Sequence, residues 1–327
     1  MRLFAGIDGG QSSSSAVIGD ERGRVLTRAT GSPTDLVGEP PESRRRADAI
    51  DELLAQARQS AGVAPDEPFD AIVAGLSGFD GFEPPNPAPR TPARRWRFTH
   101  DSEIAHAGAF GGEPGIVVIA GTGSVALGIA RDGRRALAGG WGYLFGDEGS
   151  AFWVAREALR GAMHARDRRT DDFALRTHGS FADLERRALD YFGVTDLRAI
   201  QHGFAAGSIA RGRVAGFAPE VVAAAQAAAA EGSAAGQLCL SAGAHLVGLA
   251  HSVDDALGPE AGRRVAFVGG VFDGAGLPRP TASHVRRRIP QADVVAPLEA
   301  PVLGALRLAY RDGGIGPVVL VEPGAPA

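Results

Sequence analysis

The sequence predicts an α/β protein of two domains that share one plan, and three observations support this prediction. The chain has 327 residues, about twice the length of a typical domain. Short apolar runs that end in glycine alternate with helical patterns, which is typical of α/β domains. The segment that starts at Gly115 repeats the organisation of the amino terminus, and such a repeat implies two related domains. The alternative is one chance match in a glycine-rich chain.

The first domain is predicted to contain five strands, with a helix between the third and the fourth. The first three strands form a β meander. The predicted strands are residues 3–7, 15–18, 25–27, 69–76 and 96–99. The helix is indicated by apolar residues at helical spacing from Ala47 to Ala57, with a possible N-cap at Ser43 and an end at Gly62.

The second domain is predicted to begin with two strands and to continue mainly as helices. The strands are residues 116–119 and 125–130, and the helices are residues 155–163, 181–191, 219–230 and 237–257. A further strand at 264–268 leads into Gly269-Gly270. We therefore predict a first domain of residues 1–113 plus about 302–320 and a second domain of residues 114–301.

Composition excludes several classes of function. The chain has 38 acidic and 34 basic residues and a formal net charge of −4, without the basic excess typical of proteins that bind nucleic acid or anionic membranes. The sequence contains no lysine, so a Walker A lysine and a Schiff base are both excluded. A small-molecule partner is expected.

Cysteine usage and hydropathy bear on the compartment. Cys239 is the single cysteine, so the sequence lacks an internal disulfide and the cysteines of an iron–sulfur cluster. No apolar stretch reaches the roughly 18 residues that a membrane span needs. We expect a cytoplasmic protein without a membrane partner.

Two glycine-rich segments at strand ends predict phosphate binding. They are Asp8-Gly9-Gly10-Gln11-Ser12-Ser13 and Gly121-Thr122-Gly123-Ser124. Glycine turns beside small hydroxyl residues leave backbone N–H groups for phosphate oxygens. Either segment alone could be an ordinary hairpin. Together with a third turn at Gly269-Gly270 they predict phosphates held between two domains. Neither is a Rossmann GxGxxG motif, because position 126 is alanine.

Further motifs carry a resemblance to a known family. Besides the two glycine segments, they are Asp101 with Ala105-His106-Ala107, Gly139-Gly140-Trp141-Gly142 and Gly146-Asp147-Glu148-Gly149-Ser150. In these residues the chain resembles the N-acetylglucosamine kinases of the BadF/BadG/BcrA/BcrD ATPase family, within the actin, sugar kinase and Hsp70 superfamily. The resemblance extends from Phe4 to Pro301-Val302-Leu303-Gly304-Ala305. It implies two duplicated ribonuclease H-like (actin-like ATPase) domains with a central cleft.

The resemblance also implies roles for individual residues. Asp101 would be the catalytic base, and Asp8 would act on Mg²⁺ through water. The residues that would bind ATP are Asp8, Gly10, Gln11, Ser12, Ser13, Gly121, Thr122, Gly123, Gly269 and Gly270. The residues that would bind the sugar are Asp35, Thr122, Gly123, Trp141 and Asp147.

Two positions depart from the family pattern. Gln11 stands where the family usually has a glycine, and Asp35 stands where related sugar kinases place an asparagine. A carboxylate at position 35 would accept from sugar hydroxyls and would also attract the ammonium of an unacetylated amino sugar.

Each candidate side chain also has a purely structural interpretation. Asp101 could be a helix N-cap, and Trp141 could belong to the core. Asp147 and Glu148 could form a solvated turn or place negative charge at a helix start near Ser150.

The resemblance predicts a kinase that transfers the γ-phosphate of ATP to the 6-hydroxyl of N-acetylglucosamine. Glucosamine or another hexosamine is the alternative acceptor, and a non-catalytic, sugar-responsive ATP-binding regulator is a third hypothesis. ATPases that activate dehydratases need cluster-binding cysteines, which one cysteine cannot supply. The expected partners are an amino sugar and, in a possible homodimer, a second copy of the chain.

Overall fold

The computed structural model describes residues 1–34, 43–79, 87–169, 180–227, 233–273 and 276–322. The chain divides into two compact units. The first contains Met1–Val117 and Ala296–Ala327, and the second contains Val118–Val295. The sequence placed the corresponding boundaries at residues 113 and 301.

The first unit is built on a five-stranded sheet in the order β3-β2-β1-β4-β5. The strands are β1 (Leu3–Gly9), β2 (Ser14–Asp20), β3 (Val25–Gly31), β4 (Ala71–Leu76) and β5 (Trp96–His100). The first three pair in antiparallel fashion, so the predicted meander is confirmed. β1, β4 and β5 run parallel to one another, so their carboxyl ends meet at one edge of the sheet.

Three helices cover the two faces of this sheet. They are α1 (Arg45–Ala61), α2 (Asp101–Phe110) and α11 (Pro301–Asp312). Alternate residues of β1 point to opposite faces. Leu3 and Ile7 therefore pack with the apolar side of α1, whereas Phe4 packs with residues of α11. A chain segment far along the sequence thus completes the core of the first unit.

Close packing of α11 on β1 depends on Gly6. A Cβ atom at this position would lie 2.3 Å from the backbone nitrogen of Leu306. The backbone of a packed helix can move only at a high cost in free energy. Any larger residue at position 6 would therefore displace α11 from the sheet.

The ends of α1 agree only in part with the sequence. Gly62 ends the helix in the left-handed conformation at φ 67°, as its position predicts. The predicted N-cap at Ser43 is one residue too early, because the N-cap residue is Arg44, which makes no side-chain capping bond. The Ser43 hydroxyl nevertheless accepts from the backbone N–H of Arg45 at 3.4 Å.

The second sheet also has five strands, in the order β10-β9-β6-β7-β8. They are β6 (Gly115–Ala120), β7 (Ser124–Ile129), β8 (Arg135–Gly139), β9 (Arg264–Val268) and β10 (Asp293–Val294). From β8 to β10, the strands appear in the order third, second, first, fourth, fifth, as in the first sheet. The two sheets therefore share one plan, and the predicted α/β class is confirmed.

Eight helices are described in the second unit. They are α3 (Gly142–Phe145), α4 (Ala151–Arg166), α5 (Ala182–Phe192), α6 (Leu197–Ala205), α7 (Arg211–Ala215), α8 (Ala218–Ala227), α9 (Ala234–Leu257) and α10 (Ala282–Arg286). The sequence predicted α4, α5, α8 and α9 and missed the four shorter helices. Of the helices within the described residues, none is both long and apolar enough to cross a membrane.

Candidate functional site

The first unit brings three polar side chains to the shared edge of β1, β4 and β5. Asp8 lies near the end of β1, Ser77 follows β4 and Asp101 follows β5. The Ser77 hydroxyl donates to Oδ2 of Asp101 at 2.6 Å. The backbone N–H of Ser77 donates to the carbonyl of Gly9 at 2.9 Å. Ser77 therefore ties Asp101 to the strand that carries Asp8.

Asp101 is the first residue of α2, so its interpretation as an N-cap is wrong. The N-cap is His100, whose Nδ1 accepts from the backbone N–H of Ser102 at 3.1 Å. Nδ1 of His100 also lies 3.0 Å from Oδ1 of Asp101. This leaves the Asp101 carboxylate available for a role other than capping.

The surroundings of Asp101 favour its ionised form. Burial would raise the pKa of Asp101, but His100, Ser77 and the backbone N–H of Ser102 together hold that pKa below its usual value. Burial likewise opposes the charged form of His100, yet the neighbouring Asp101 carboxylate raises the pKa of His100. Asp101 is therefore a carboxylate at neutral pH and can accept a proton.

Asp8 has the opposite character. Burial and the negative charge of Asp101 raise the pKa of Asp8 to about 7. Two neighbouring carboxyl groups that repel each other would be stabilised by a cation. Among the described residues, no three His, Cys, Asp or Glu side chains are placed to hold a metal ion together. Mg²⁺ is often held by one or two carboxylates, water and substrate phosphate, so the residues present fit this ion.

The first glycine segment forms a tight connection between β1 and β2. The backbone N–H of Gly10 donates to the carbonyl of Ser13 at 3.0 Å, and a Cβ at Gly10 would lie 2.9 Å from that oxygen. A Cβ at Gly9 would lie 2.2 Å from Oγ1 of Thr34. Gly10 thus shapes the turn, while Ser12 and Ser13 are exposed at its surface.

The second glycine segment makes the equivalent connection between β6 and β7 in the second unit. The backbone N–H of Gly121 donates to the carbonyl of Gly123 at 2.9 Å. Gly269, at φ 111°, packs so closely that a Cβ there would lie 2.3 Å from the carbonyl oxygen of Ala120. The structure therefore brings the predicted turn at Gly269 and Gly270 beside the start of the second loop.

Asp147 is buried against this second loop. Its Oδ1 accepts from the backbone N–H of Ser124 at 3.1 Å, and its Oδ2 accepts from Arg211 at 2.6 Å. A Cβ at Gly123 would lie 2.9 Å from both carboxylate oxygens, which explains the glycine. Asp147 is only 4% exposed, so its interpretation as a solvated turn is wrong.

Trp141 lies outside the core. Its side chain is 76% exposed, between Gly140 and Gly142, which both have φ 75°. The backbone N–H of Gly140 donates to the carbonyl of Ser124 at 2.9 Å. An exposed indole anchored beside the loop can pack against the apolar face of a ligand.

Within each unit, the structure groups the candidate residues that it describes. The first unit holds Asp8, the 10–13 turn and Asp101, and the second holds the 121–124 loop with the other candidates. Asp35 lies outside the described residues.

Sequence reasoning missed Ser77, His100 and Arg211. Ser77 and His100 had a signal, since each is a polar residue at a predicted strand end. Arg211 had none, because 64 positions separate it from Asp147.

Comparisons with known proteins identify the family and several relatives of the chain. A model of the BadF/BadG/BcrA/BcrD ATPase family matches residues 5–309. An N-acetylmuramic acid/N-acetylglucosamine kinase of Clostridium acetobutylicum is 32% identical over 174 residues, which are 52% of this chain and 56% of that protein. A glucosamine kinase of Vibrio cholerae is 28% identical over 188 residues, which are 56% of this chain and 60% of that protein. The chain thus spans a little over half the length of the curated relatives it matches.

A solved structure extends the similarity over nearly the whole chain. It is the crystal structure of a Chromobacterium violaceum protein proposed to be an N-acetylglucosamine kinase, with a TM-score of 0.71 and 28% identity. The superposition covers 94% of this chain and 99% of that one. With the family match over residues 5–309, it follows that the chain belongs to the BadF/BadG/BcrA/BcrD ATPase family.

Proposed function

We propose that this protein is an ATP-dependent sugar kinase that phosphorylates the 6-hydroxyl of N-acetylglucosamine. The observation that carries the proposal is the Asp101 carboxylate, which the Ser77 hydroxyl orients at the shared edge of β1, β4 and β5. The names of the relatives from Clostridium acetobutylicum and Chromobacterium violaceum support this acceptor.

Asp101 is the general base in this proposal. A neutral hydroxyl attacks phosphorus poorly, so a carboxylate that takes its proton as the new O–P bond forms lowers the barrier. The hydrogen bond from Ser77 fixes the orientation of the carboxylate. His100 helps to keep the pKa of Asp101 below its usual value, so the base is unprotonated when the acceptor binds.

Asp8 holds Mg²⁺ through water, and the first-unit turn at residues 10–13 contacts the phosphates of ATP. Bound Mg²⁺ supplies positive charge that offsets the charge developing on the transferred phosphoryl group. In the second unit, residues 121–123 contact phosphate and sugar, Gly269 and Gly270 back the nucleotide, and Asp147 and Trp141 contact the sugar. These assignments are supported by the placement of each residue at a sheet edge or beside the second loop.

Glucosamine is the alternative acceptor, and the similarity to the glucosamine kinase of Vibrio cholerae favours it. A carboxylate at Asp35 would suit its ammonium group. A sugar-responsive regulator without turnover is the remaining alternative.

A panel assay tests the proposal. Release of ADP is measured with N-acetylglucosamine, glucosamine, N-acetylmannosamine, N-acetylmuramic acid and glucose, and phosphorus NMR locates the phosphate on the product. We expect the highest kcat/KM with N-acetylglucosamine and a 6-phosphate product. A higher kcat/KM with glucosamine would support the alternative acceptor, and binding of sugar and ATP without turnover would support the regulator.

A further inference from the structure

Arg211 is a half-buried, charged residue of the second unit, and the proposed function assigns it no role. It is the first residue of α7, and its side chain is 17% exposed. Its Nη2 atom donates to Oδ2 of Asp147 at 2.6 Å and to the carbonyl of Thr122 at 3.2 Å. One nitrogen therefore joins two of the residues assigned to the sugar.

The same guanidinium also faces two aromatic rings. Its central carbon lies 5.0 Å from the ring centroid of Tyr143 and 5.5 Å from that of Phe152, within the range of cation–π attraction. Tyr143 lies in α3, two residues after Trp141, and Arg156 donates to its carbonyl at 3.0 Å. Arg211 thus contacts the second loop, the buried carboxylate and the segment that carries the exposed indole.

The conformation of Asp147 explains why a strong partner is needed. Asp147 has φ 61°, a left-handed conformation that is uncommon outside glycine and persists where surrounding contacts fix it. Of the contacts to its carboxylate, the Ser124 N–H holds Oδ1 and Arg211 holds Oδ2. Because a buried ion pair adds little net stability against its desolvation cost, positioning explains this pair better than stabilisation does.

We propose that Arg211 is a positioning residue for the acceptor side of the site. It fixes the Asp147 carboxylate, the Thr122 carbonyl and the α3 segment in the one arrangement that binds the sugar. This proposal rests on the proposed function, since Asp147 is assigned there to the acceptor. Lysine would restore the charge but not the planar guanidinium that faces Tyr143.

The matched control lies on the same short helix. Arg213 packs over Tyr191 at 4.4 Å and donates to the carbonyl of Tyr191 at 2.7 Å. Like Arg211, it faces an aromatic ring and donates to a backbone carbonyl, and these two contacts involve none of the site residues. Unlike Arg211, it has no carboxylate among these partners. Loss of α7 packing alone would affect both positions alike.

The experiment compares Arg211→Met, Arg211→Lys and Arg213→Met in steady-state kinetics. For Arg211→Met we expect the acceptor KM to rise at least about tenfold, while the KM for MgATP changes less than about threefold. The acceptor KM of Arg211→Lys should lie between those of Arg211→Met and the wild type. If Arg211→Met does not fold, Arg211→Lys is used for the test instead. Arg213→Met should stay within about twofold of the wild type. Equal rises in both KM values, an unchanged acceptor KM, or an equal loss with Arg213→Met would overturn the proposal.

Amide hydrogen exchange of the ligand-free proteins separates this inference from the proposed function. We expect faster exchange at residues 121–124 and 142–147 in Arg211→Met and wild-type exchange there in Arg213→Met. If the wild type phosphorylates no amino sugar, the proposed function fails and the exchange result decides the positioning role. Unchanged exchange at both segments would overturn it.

Discussion

The two units place carboxylates beside equivalent strand connections but give them opposite electrostatic surroundings. In the first unit, Asp8 is half-buried beside the negative charge of Asp101, and the pKa of Asp8 rises to about 7. In the second unit, Asp147 is buried against Arg211 and the Ser124 N–H. The same sheet topology thus holds two different carboxyl groups. Asp8 would need a cation from outside the chain, whereas Asp147 already pairs with Arg211.

This difference agrees with a division of labour between the units. A carboxylate without a countercharge suits transient binding of a metal and its phosphates. A carboxylate locked by an arginine suits orientation of a neutral acceptor through hydrogen bonds. Substitution of each carboxylate by its amide tests the comparison, because the two units predict opposite effects on stability.

The largest expected effect is at Asp101. Asp101→Asn removes the proton acceptor and should lower kcat by roughly the hundredfold to ten-thousandfold attributed to general base catalysis. Acceptor binding should stay nearly unchanged, because the amide keeps the shape of the side chain. Glu103→Gln on the same helix, where Glu103 pairs with Arg97, is the control. Retention of more than about a third of wild-type kcat, measured where chemistry limits the rate, would contradict the base assignment.

Asp8→Asn should destroy the use of MgATP and yet stabilise the fold at high pH. The pKa of Asp8 is raised from 3.8 to about 7 in the folded state, so the folded protein binds more protons than the unfolded chain between these values. Stability contributed by this group is therefore present at low pH and is lost as pH rises through about 7.

The Asp8→Asn side chain does not ionise, so the variant should not lose stability in this way as pH rises. In metal-free urea unfolding at pH 8.5, we expect the free energy of unfolding of Asp8→Asn to exceed that of the wild type by roughly 1–4 kcal/mol. The difference should shrink at pH 5.5. A variant less stable than the wild type at pH 8.5 would show that the Asp8 carboxylate is structural.

Asp147→Asn should change stability in the other direction. Asparagine tolerates the left-handed conformation, so the backbone should be kept, but Arg211 loses its anionic partner in a buried position. We expect a loss of roughly 1–3 kcal/mol at pH 7 together with weaker acceptor binding. Combined with Arg211→Met, the effects on acceptor KM should be less than additive, because both changes break one interaction. Additive effects would mean that Arg211 and Asp147 act separately.

The same comparison shows how far the sequence predicts the site. The sequence showed Asp8 and Asp101 at the ends of short apolar runs, and their roles came from the resemblance to the family. The structure adds that β1, β4 and β5 are parallel, which brings these strand ends to one edge of the sheet. The glycine segments were predicted because tight turns at strand ends favour glycine. In contrast, Arg211 lies in a five-residue helix that has no periodicity long enough to detect, and its contact with Asp147 depends on tertiary packing.

In the fold, too, local features were predicted from the sequence and tertiary contacts were not. The meander and the long helices were predicted from local patterns. The packing of α11 on β1 requires contacts between Gly6 and Leu306, which no local pattern contains. Ser77 is an intermediate case. Its position after a strand could be predicted from the sequence, whereas its hydrogen bond to Asp101 could not.

The smallest expected effect is at Ser77. The hydroxyl donates to the Asp101 carboxylate at 2.6 Å and is one of the groups that hold the pKa of Asp101 below its usual value. Ser77→Ala removes this donor, so the ionised form loses support and the pKa of Asp101 should rise. At saturating MgATP, the acid limb of kcat should move to higher pH, and kcat at pH 7.5 should fall about threefold to tenfold because the carboxylate loses the donor that orients it. Because Asp101 still carries the reaction, this loss should be far smaller than that of Asp101→Asn. An acid limb of kcat that stays in place in Ser77→Ala at saturating MgATP, or moves to lower pH, would contradict the assignment of Asp101, supported by Ser77, as the proton acceptor.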